Sequence, residues 1–432
     1  MTNTTAMLVY LVPLVLVLFF YLRRHNKKEQ HHVAQLQASV ETGLTEPASL
    51  HPLFDPNRCI GSGACVAACP EQAIGLIKGK GHLVKPAACI GHGACMAACP
   101  HDAITLVFGT AKRGMDIPQV NPDFETNVPG IFIAGELGGM GLIRKAVEQG
   151  RQAIEAIRKR QDKKFPLDVV VVGAGPAGLA ASLGALERKL RFVTIEQEDS
   201  LGGTVYHYPR NKIVMTAPMQ LPVLGKVKMS EISKEALMQF WQGVVTKTGL
   251  KINFSERMEG IIRNGNGYTV KTSRGSYNTK SVLLAIGRRG TPRKLDVPGE
   301  ELPKVVYRLI DPEQYRDQHV LIVGGGDSAL EAALSIAGEP GTTVVLSYRG
   351  EAFGRVKEKN RQLLKEAEGK GRVKVLLQSS VKKIEPQKIM LDHAGKLLEL
   401  RNDAVIVNVG GVLPTSFLKE IGIMVETKYG TA

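Results

Sequence analysis

The sequence predicts an α/β protein with two Rossmann-like domains, a small α+β domain ahead of them, and a transmembrane helix near its N-terminal end. Three observations carry that expectation. Two stretches, LDVVVVGAGPAGLAAS and HVLIVGGGDSALEAAL, each run from an apolar β-type segment through a glycine-rich turn into a helical pattern. Two others, CIGSGACVAACP and CIGHGACMAACP, repeat one cysteine spacing thirty residues apart. Residues 6–22, AMLVYLVPLVLVLFFYL, hold no charge.

The apolar run is at the short end of what spans a bilayer, and its Pro13 is tolerated there. A cleaved signal peptide would need a basic leader and a small-residue cleavage site. Here MTNTT precedes the run and RRHNKK follows it. An uncleaved anchor is therefore expected, and the positive-inside rule puts the rest of the chain in the cytoplasm, a single-pass protein of the inner membrane. Residues 23–50 read as a polar tether, with a short helix around His32 to Gln37. Residues 51–108 form the α+β domain, each cysteine cluster running into an apolar strand, AIGLI and then AITLVF. From residue 165 on, β-type runs alternate with helical patterns, as in βαβ folding.

Composition narrows the function. The net charge of +15 favours anionic membrane surfaces or acidic partners. No basic cluster is interleaved with aromatics, so no nucleic acid is expected. All six cysteines lie in the two repeats, which leaves none for a structural disulfide, a catalytic thiol or a dithiol pair. A reducing location is consistent with that.

The bacterial run that holds a four-iron cluster is C-x2-C-x2-C-x3-C-P. Cys59, Cys65 and Cys69-Pro70 fall on it, with Ser62 in the second position; Cys89, Cys95 and Cys99-Pro100 fall on it again, with His92 there. Residues 51–108 thus resemble a bacterial-type two-cluster ferredoxin over about 55 residues. In that family the fourth cysteine ligates the other cluster. The resemblance implies one cluster on Cys59, Cys65 and Cys99, and one on Cys89, Cys95 and Cys69. Each vacancy has two outcomes. Either the iron is lost, leaving a 3Fe-4S centre, or Ser62 and His92 complete a 4Fe-4S one. Histidine ligation would raise the potential, as in Rieske centres.

In the first glycine-rich stretch, Gly173, Gly175 and Gly178 set a tight turn, admit a pyrophosphate and let helix and strand close. Glu196 follows eighteen residues after Gly178, at the end of a second strand, where a carboxylate meets a ribose hydroxyl. In the second stretch Gly324, Gly326 and Ala329 fill the fingerprint. Its next strand ends without an acid and carries Arg349, then Arg355 and Lys357. Arginine there accommodates a 2′-phosphate, so NADPH is expected over NADH.

Residues 165–432 resemble the thioredoxin reductase family of FAD/NAD(P)H flavoproteins. The matches are GAGPAG at 173, DSLGGT at 199, LLAIGRRGTP at 283, GGGDSA at 324 and NVGGVLPTSFLKEIGI at 408. The resemblance implies that FAD lies on Gly173, Gly175, Pro176, Ala177, Gly178, Glu196, Gly202, Gly203, Thr204 and Gly287. It implies that the nicotinamide cofactor lies on Gly324, Gly326, Asp327, Ser328, Ala329, Arg349 and Arg355. The family's redox-active cysteine pair is absent, which excludes disulfide reduction by that route. The family also ends on a segment returning to the flavin. Here the matching piece, DFETNVPGIFIAGELGGMGLIRKAVEQGRQAIEAI, stands upstream at 123–157. The flavoprotein therefore reads as circularly permuted. Gly135 and Glu136 would approach the ribityl-pyrophosphate, and a helix starting near Gly141 would aim its positive end at the flavin. The implied division is 109–164 and 405–432 as return segments, 165–295 for FAD and 296–404 for NAD(P)H.

The expected function is a membrane-anchored NAD(P)H oxidoreductase, passing electrons from FAD to its own two iron–sulfur clusters and on to an unidentified redox protein or quinone. No side chain is assigned as catalytic; Tyr206 and His207 are candidates for lying near the flavin ring, with a structural role equally open to them. Two alternatives remain, a slow redox sensor or assembly partner, and a flavin hydride enzyme with structural clusters. A homodimer is an open option.

Overall fold

The computed structural model describes residues 3–430 apart from 48–49, 112, 140, 209–211, 216–217, 230, 289 and 355, and the side chains of 3–10, 215 and 291 also lie outside the description. Its described residues fall into two compact units. One runs through Thr110 and takes in Ala352–Glu358; the other holds Ala111–Glu351 and Lys359–Tyr429.

The first unit opens with a long helix, α1 (Asn3–Glu41). This departs from the expected tether with a short helix near His32–Gln37. Side-chain bonds one turn apart, Gln35 to His31 and Gln37 to Glu41, support the helix from outside. Its inner face is docked: His32 Nδ1 meets the Leu76 amide at 3.1 Å, Glu29 accepts from Lys78 N–H at 2.7 Å, and Ser39 Oγ donates to Val84 O at 2.9 Å. Tertiary bonds rather than apolar periodicity therefore carry the helix past residue 22. Among the described residues no helix is long and apolar enough to cross a membrane. The expected span begins in the stretch whose side chains are outside the description. The remaining LVPLVLVLFFYL of 11–22 rises about 18 Å as helix, short of a bilayer core of about 30 Å.

The rest of that unit has twofold internal likeness. Strand β1 (His51–Phe54) leads into the first cysteine loop and a short α2 (Ala64–Ala68); β2 (Ile74–Ile77) and β3 (Lys80–Leu83) form a hairpin; the second loop carries α3 (Ala94–Ala97) and ends in β4 (Ile104–Val107). β1 pairs antiparallel with β4, and β2 with β3. Cys65, Cys95, Ile74 and Ile104 share one small core.

The second unit holds the two Rossmann-like sheets. Its FAD-type sheet is built on β7 (Leu167–Val172), whose LDVVVV run is buried on both faces, as a parallel strand between helices requires. Helix α5 (Pro176–Glu187) follows, then β8 (Phe192–Ile195), parallel to β7. An antiparallel ribbon, β9 (Met258–Asn264) and β10 (Gly267–Thr272), feeds β11 (Gly275–Leu284), which returns parallel to β7. The upstream segment completes this sheet. β6 (Ile131–Ile133) pairs parallel with Val282–Leu284 of β11, and α4 (Ile143–Arg158) packs against α5. α4 buries Ile143, Val147, Ile154 and Ile157 at helical spacing. At Gly150 it comes so close that a Cβ would stand 2.1 Å from Ala177 O. The chain's last strand, β17 (Val425–Lys428), pairs antiparallel with β5 (Met115–Pro118), so the two displaced ends meet as a hairpin's two arms.

The NAD(P)-type sheet is fully parallel, in the order β12 (Val305–Val306), β16 (Ala404–Val407), β13 (His319–Val323), β14 (Thr343–Ser347), β15 (Val373–Leu376). Ala404–Val407 lies inside it, so the return expected from residue 405 starts after that strand.

Candidate cofactor and cluster sites

In the first unit, a cavity with about 330 Å3 of empty space, partly open to solvent, is lined by Cys59, Ser62, Cys65 and Cys99 together with Arg58, Ile60, Leu76 and His101. These are the three thiols and the vacancy that the crosswise pattern groups. Three amides point at sulfur: Gly81 N–H to Cys59 Sγ at 3.4 Å, Ala103 N–H to Cys99 Sγ at 3.3 Å, and Ala73 N–H to Cys69 Sγ at 3.4 Å. Burial pushes the Cys65 thiol up, and Cys59 and Cys95 nearby add to it. Burial likewise pushes Cys89 up to about 11, with Cys69 and Cys95 adding repulsion. The second trio is therefore also gathered. Thiols packed this way need a multivalent cation to stay ionised. Among the described residues no group of side chains converges on one metal ion. A polynuclear cluster places its thiolates on separate irons, and a cavity lined by Cys59, Cys65 and Cys99 is a donor set that fits one. Ser62 and His92 are exposed, and Ala64 N–H reaches Ser62 Oγ at 3.5 Å.

In the second unit, the FAD cradle is a ring of close backbone approaches. Gly173 has φ +106°, a left-handed value that a side chain resists, and a Cβ there would stand 2.5 Å from Ala285 O. A Cβ on Gly178 would fall 1.8 Å from Gly173 O; one on Gly203 would be 3.1 Å from Gly175 Cα; one on Gly135 would be 3.0 Å from Ala177 Cβ. A Cβ on Gly287 would meet only Thr204 Oγ1, at 4.0 Å. The loop of 202–204, the upstream Gly135 and the end of β11 therefore close around one helix start. That start, Gly175 before Pro176, has no side-chain cap, so its first N–H groups are free for a pyrophosphate. Ser200 Oγ, on the 199–204 loop, is buried and has no hydrogen-bond partner among the described residues.

Glu196 is 6% exposed, at the end of β8. Its carboxylate accepts from Ala174 N–H at 2.6 Å and Glu198 N–H at 3.1 Å. Burial raises its pKa, and those two amides oppose the shift. Residues 135 and 136 bring two partners that sequence reasoning did not name. Gln149 of α4 is buried and accepts from Gly135 N–H at 2.7 Å. Arg288 donates to Asp116 O at 3.1 Å, and burial lowers its pKa against the pull of Glu136 and Asp116. Gln149 lay one turn along a readable amphipathic helix, and Arg288 followed Gly287 in a quoted motif; each was a usable signal. Tyr206 is exposed and stacks edge-on with His207, whose ring meets Arg308 at 2.8 Å.

The second fingerprint opens α7 (Asp327–Ile336). A Cβ on Gly324 would lie 2.4 Å from Asn408 O, while Gly326 has nothing within 4 Å and no side-chain cap. Ala329 is fully buried, Ser328 is exposed, and Asp327 accepts from Asn360 Nδ2 at 2.7 Å. The Tyr348 ring lies across Gly325, and Arg349 beside it is exposed. Arg355 lies outside the described residues.

Residues 170–431 match the family described as pyridine nucleotide-disulphide oxidoreductase, and residues 51–100 match the 4Fe-4S dicluster domain. The first match spans well over half of the chain, and the protein belongs to that oxidoreductase family. More particularly, it is an FAD-dependent NAD(P)H oxidoreductase with a ferredoxin-type iron–sulfur domain. A ferredoxin–NADP reductase from Pediococcus pentosaceus is 31% identical over 260 residues, which is 58% of this chain and 75% of that protein. A bacilliredoxin reductase from Bacillus subtilis is 25% identical over 270 residues, 60% of this chain and 82% of its own. The bacillithiol disulfide reductase structure from Staphylococcus aureus shares the fold at a TM-score of 0.53 and 24% identity, over 60% of this chain and 80% of that one.

Proposed function

We propose that this chain takes electrons from NADPH and delivers them, through FAD, to its own two iron–sulfur clusters and then to an acceptor outside the chain. The observation that carries the reading is where the cysteines are. All six lie between residues 59 and 99, and none is in the unit with the two nucleotide fingerprints. A dithiol relay beside the flavin is therefore unavailable, and the ferredoxin-type unit is the redox group that the chain itself supplies.

When bound, FAD accepts an electron pair and releases electrons singly. The chain's residues bind and orient. The α5 start and Gly175 receive the pyrophosphate, Glu196 the ribose, and Gly135, pinned by Gln149, closes the other side. Gly326 and the α7 start receive the second nucleotide. Arg349, exposed at the end of β14, supplies the positive charge that favours a 2′-phosphate. Cys59, Cys65 and Cys99 would hold one cluster, and Cys69, Cys89 and Cys95 the other.

We place the protein at the cytoplasmic face of a membrane. The support is the uncharged run 6–22, followed by Arg23, Arg24, Lys27 and Lys28, and the exposure of Leu14, Val17, Phe20 and Tyr21 on the helix. The acceptor is then a membrane partner or an acidic carrier.

The test removes one ligand of each cluster. In a Cys59→Ser, Cys89→Ser double variant, NADPH should still reduce FAD, while reduction of a one-electron acceptor such as cytochrome c falls at least tenfold. Undiminished flavin reoxidation by that acceptor would instead favour an enzyme whose clusters are structural.

A further inference from the structure

The fingerprint that opens α7 accounts for two of its three glycines. Gly324 has φ +150°, and a Cβ there would stand 2.4 Å from Asn408 O. Gly326 has open space around it, where a pyrophosphate approaches the backbone. Gly325 falls on the variable position between them, and its φ is not left-handed. What meets it is a side chain. A Cβ on Gly325 would stand 2.2, 2.3 and 2.4 Å from Cε2, Cδ2 and Cζ of Tyr348. Three adjacent ring atoms at nearly one distance put Gly325 over the face of the ring. Gly350 meets the same ring toward its other edge. Its φ is not left-handed either, and a Cβ there would stand 2.7 Å from Cε1 and 3.0 Å from the phenol oxygen. At both positions it is the ring, and not the backbone, that excludes a side chain.

The ring sits where two loops flank the nucleotide crevice. Val323 and Ser347 are register partners at the carboxyl ends of the parallel strands β13 and β14. The glycine turn leaves the first strand and the Tyr348–Gly350 loop leaves the second, at the end of the sheet where such folds bind ligands. The second loop is fixed from behind. Tyr348 N–H donates to Leu376 O at 2.9 Å, Ser379 N–H to Tyr348 O at 3.0 Å, and Gln378 N–H to Gly350 O at 3.0 Å. The ring is therefore a spacer on an anchored base. Exposed Arg349 lies on one of the loops it joins, and the uncapped start of α7 follows the other.

We propose that Tyr348 is a positioning residue for the second nucleotide. Its ring, seated on Gly325 and Gly350, holds the Arg349 loop and the start of α7 at the spacing that serves a 2′-phosphate and a pyrophosphate together. Binding then has no loop to order. The inference rests on the proposed preference for NADPH only in naming the phosphate that Arg349 meets.

The experiment measures NADP+ and NAD+ dissociation constants by calorimetry on the full-length, FAD-loaded chain. Gly325→Ala drives a methyl into the ring and should weaken NADP+ by about 5- to 100-fold, the range that overpacking spans. Tyr348→Ala should weaken NADP+ by about 2- to 12-fold, the effect of leaving one long side chain to be ordered on binding, and should weaken NAD+ less. Tyr348→Phe keeps the ring and should bind like the parent. The double variant, Gly325→Ala with Tyr348→Ala, should bind no more weakly than Tyr348→Ala alone, because the methyl then has room. If Gly325→Ala fails to fold, the double variant should fold. The proposal is overturned if the two single losses multiply in the double variant, if Tyr348→Phe behaves like Tyr348→Ala, or if Tyr348→Ala weakens both nucleotides equally. A parent chain that binds NAD+ as tightly as NADP+ would sink the NADPH reading instead, and the coupling between residues 325 and 348 would still decide this one.

Discussion

Substituting Gly150 by alanine tests whether the upstream segment is part of the FAD fold. A Cβ at 150 would meet Ala177 O at 2.1 Å and Ala177 C at 3.0 Å. Both atoms are backbone, so no rotamer relieves the contact, and α4 must move away from α5. Overpacking of this kind costs about 1–3 kcal/mol. In a unit of this size each kcal/mol is worth about 2–4 °C in Tm, so a fall of about 2–12 °C is expected. The displacement also carries Gln149, and with it the 2.7 Å bond that holds Gly135 against the start of α5. Flavin affinity should therefore fall as well, by about 5- to 100-fold if one to two such bonds' worth is lost. The assays are thermal unfolding with and without added FAD, and flavin release by ultrafiltration. Gly243 in α6 (Lys234–Thr248) is the control. It has nothing within 4 Å, so alanine there should stabilise by about 0.5–1 kcal/mol through helix propensity. If Gly150→Ala behaved like Gly243→Ala, with Tm not lowered and flavin content unchanged, the packed return of α4 onto α5 would be wrong.

Three further outcomes follow from the sites. Arg349→Glu should cut the preference for NADPH over NADH by about 10- to 150-fold, the worth of about 1.5–3 kcal/mol for a charged hydrogen bond, read as the ratio of kcat/KM values. In the cluster-free chain, Cys89 has a folded pKa of about 11 against an ordinary 9.0. A raised pKa gives stability that is present below pH 9 and lost as pH rises toward 11, so urea midpoints should fall across that window. In a Cys89→Ala variant that fall should shrink. The chain should float with phosphatidylglycerol–phosphatidylethanolamine vesicles, and a chain starting at residue 26 should float less.

The nucleotide fingerprints were legible because their glycines are demanded locally, by turns and close approaches that any reader of GAGPAG can count. The doubled cysteine run was legible for the same reason. The displaced return was read from likeness alone, and β6 beside β11 gives it a physical place. What the sequence hid depends on distant partners. The polar stretch after residue 22 carries no apolar stripe, and its helix persists through bonds from Glu29, His32 and Ser39 to the hairpin and the strand end behind it. The strand at Ala404–Val407 joins the NAD(P)-type sheet rather than the return expected from residue 405, because a buried apolar run of four does not announce which sheet it joins. Gln149 and Arg288 act on loops whose positions appear only once the chain is folded.

The measurement that bears most directly on the proposed function is anaerobic. The cofactor-loaded chain is mixed with NADPH, frozen within the first turnovers and examined by electron paramagnetic resonance against an unmixed sample. Internal transfer predicts that an oxidised three-iron signal disappears or a reduced four-iron signal appears, in step with the bleaching of FAD. Bleached FAD with iron signals unchanged under excess NADPH would contradict it.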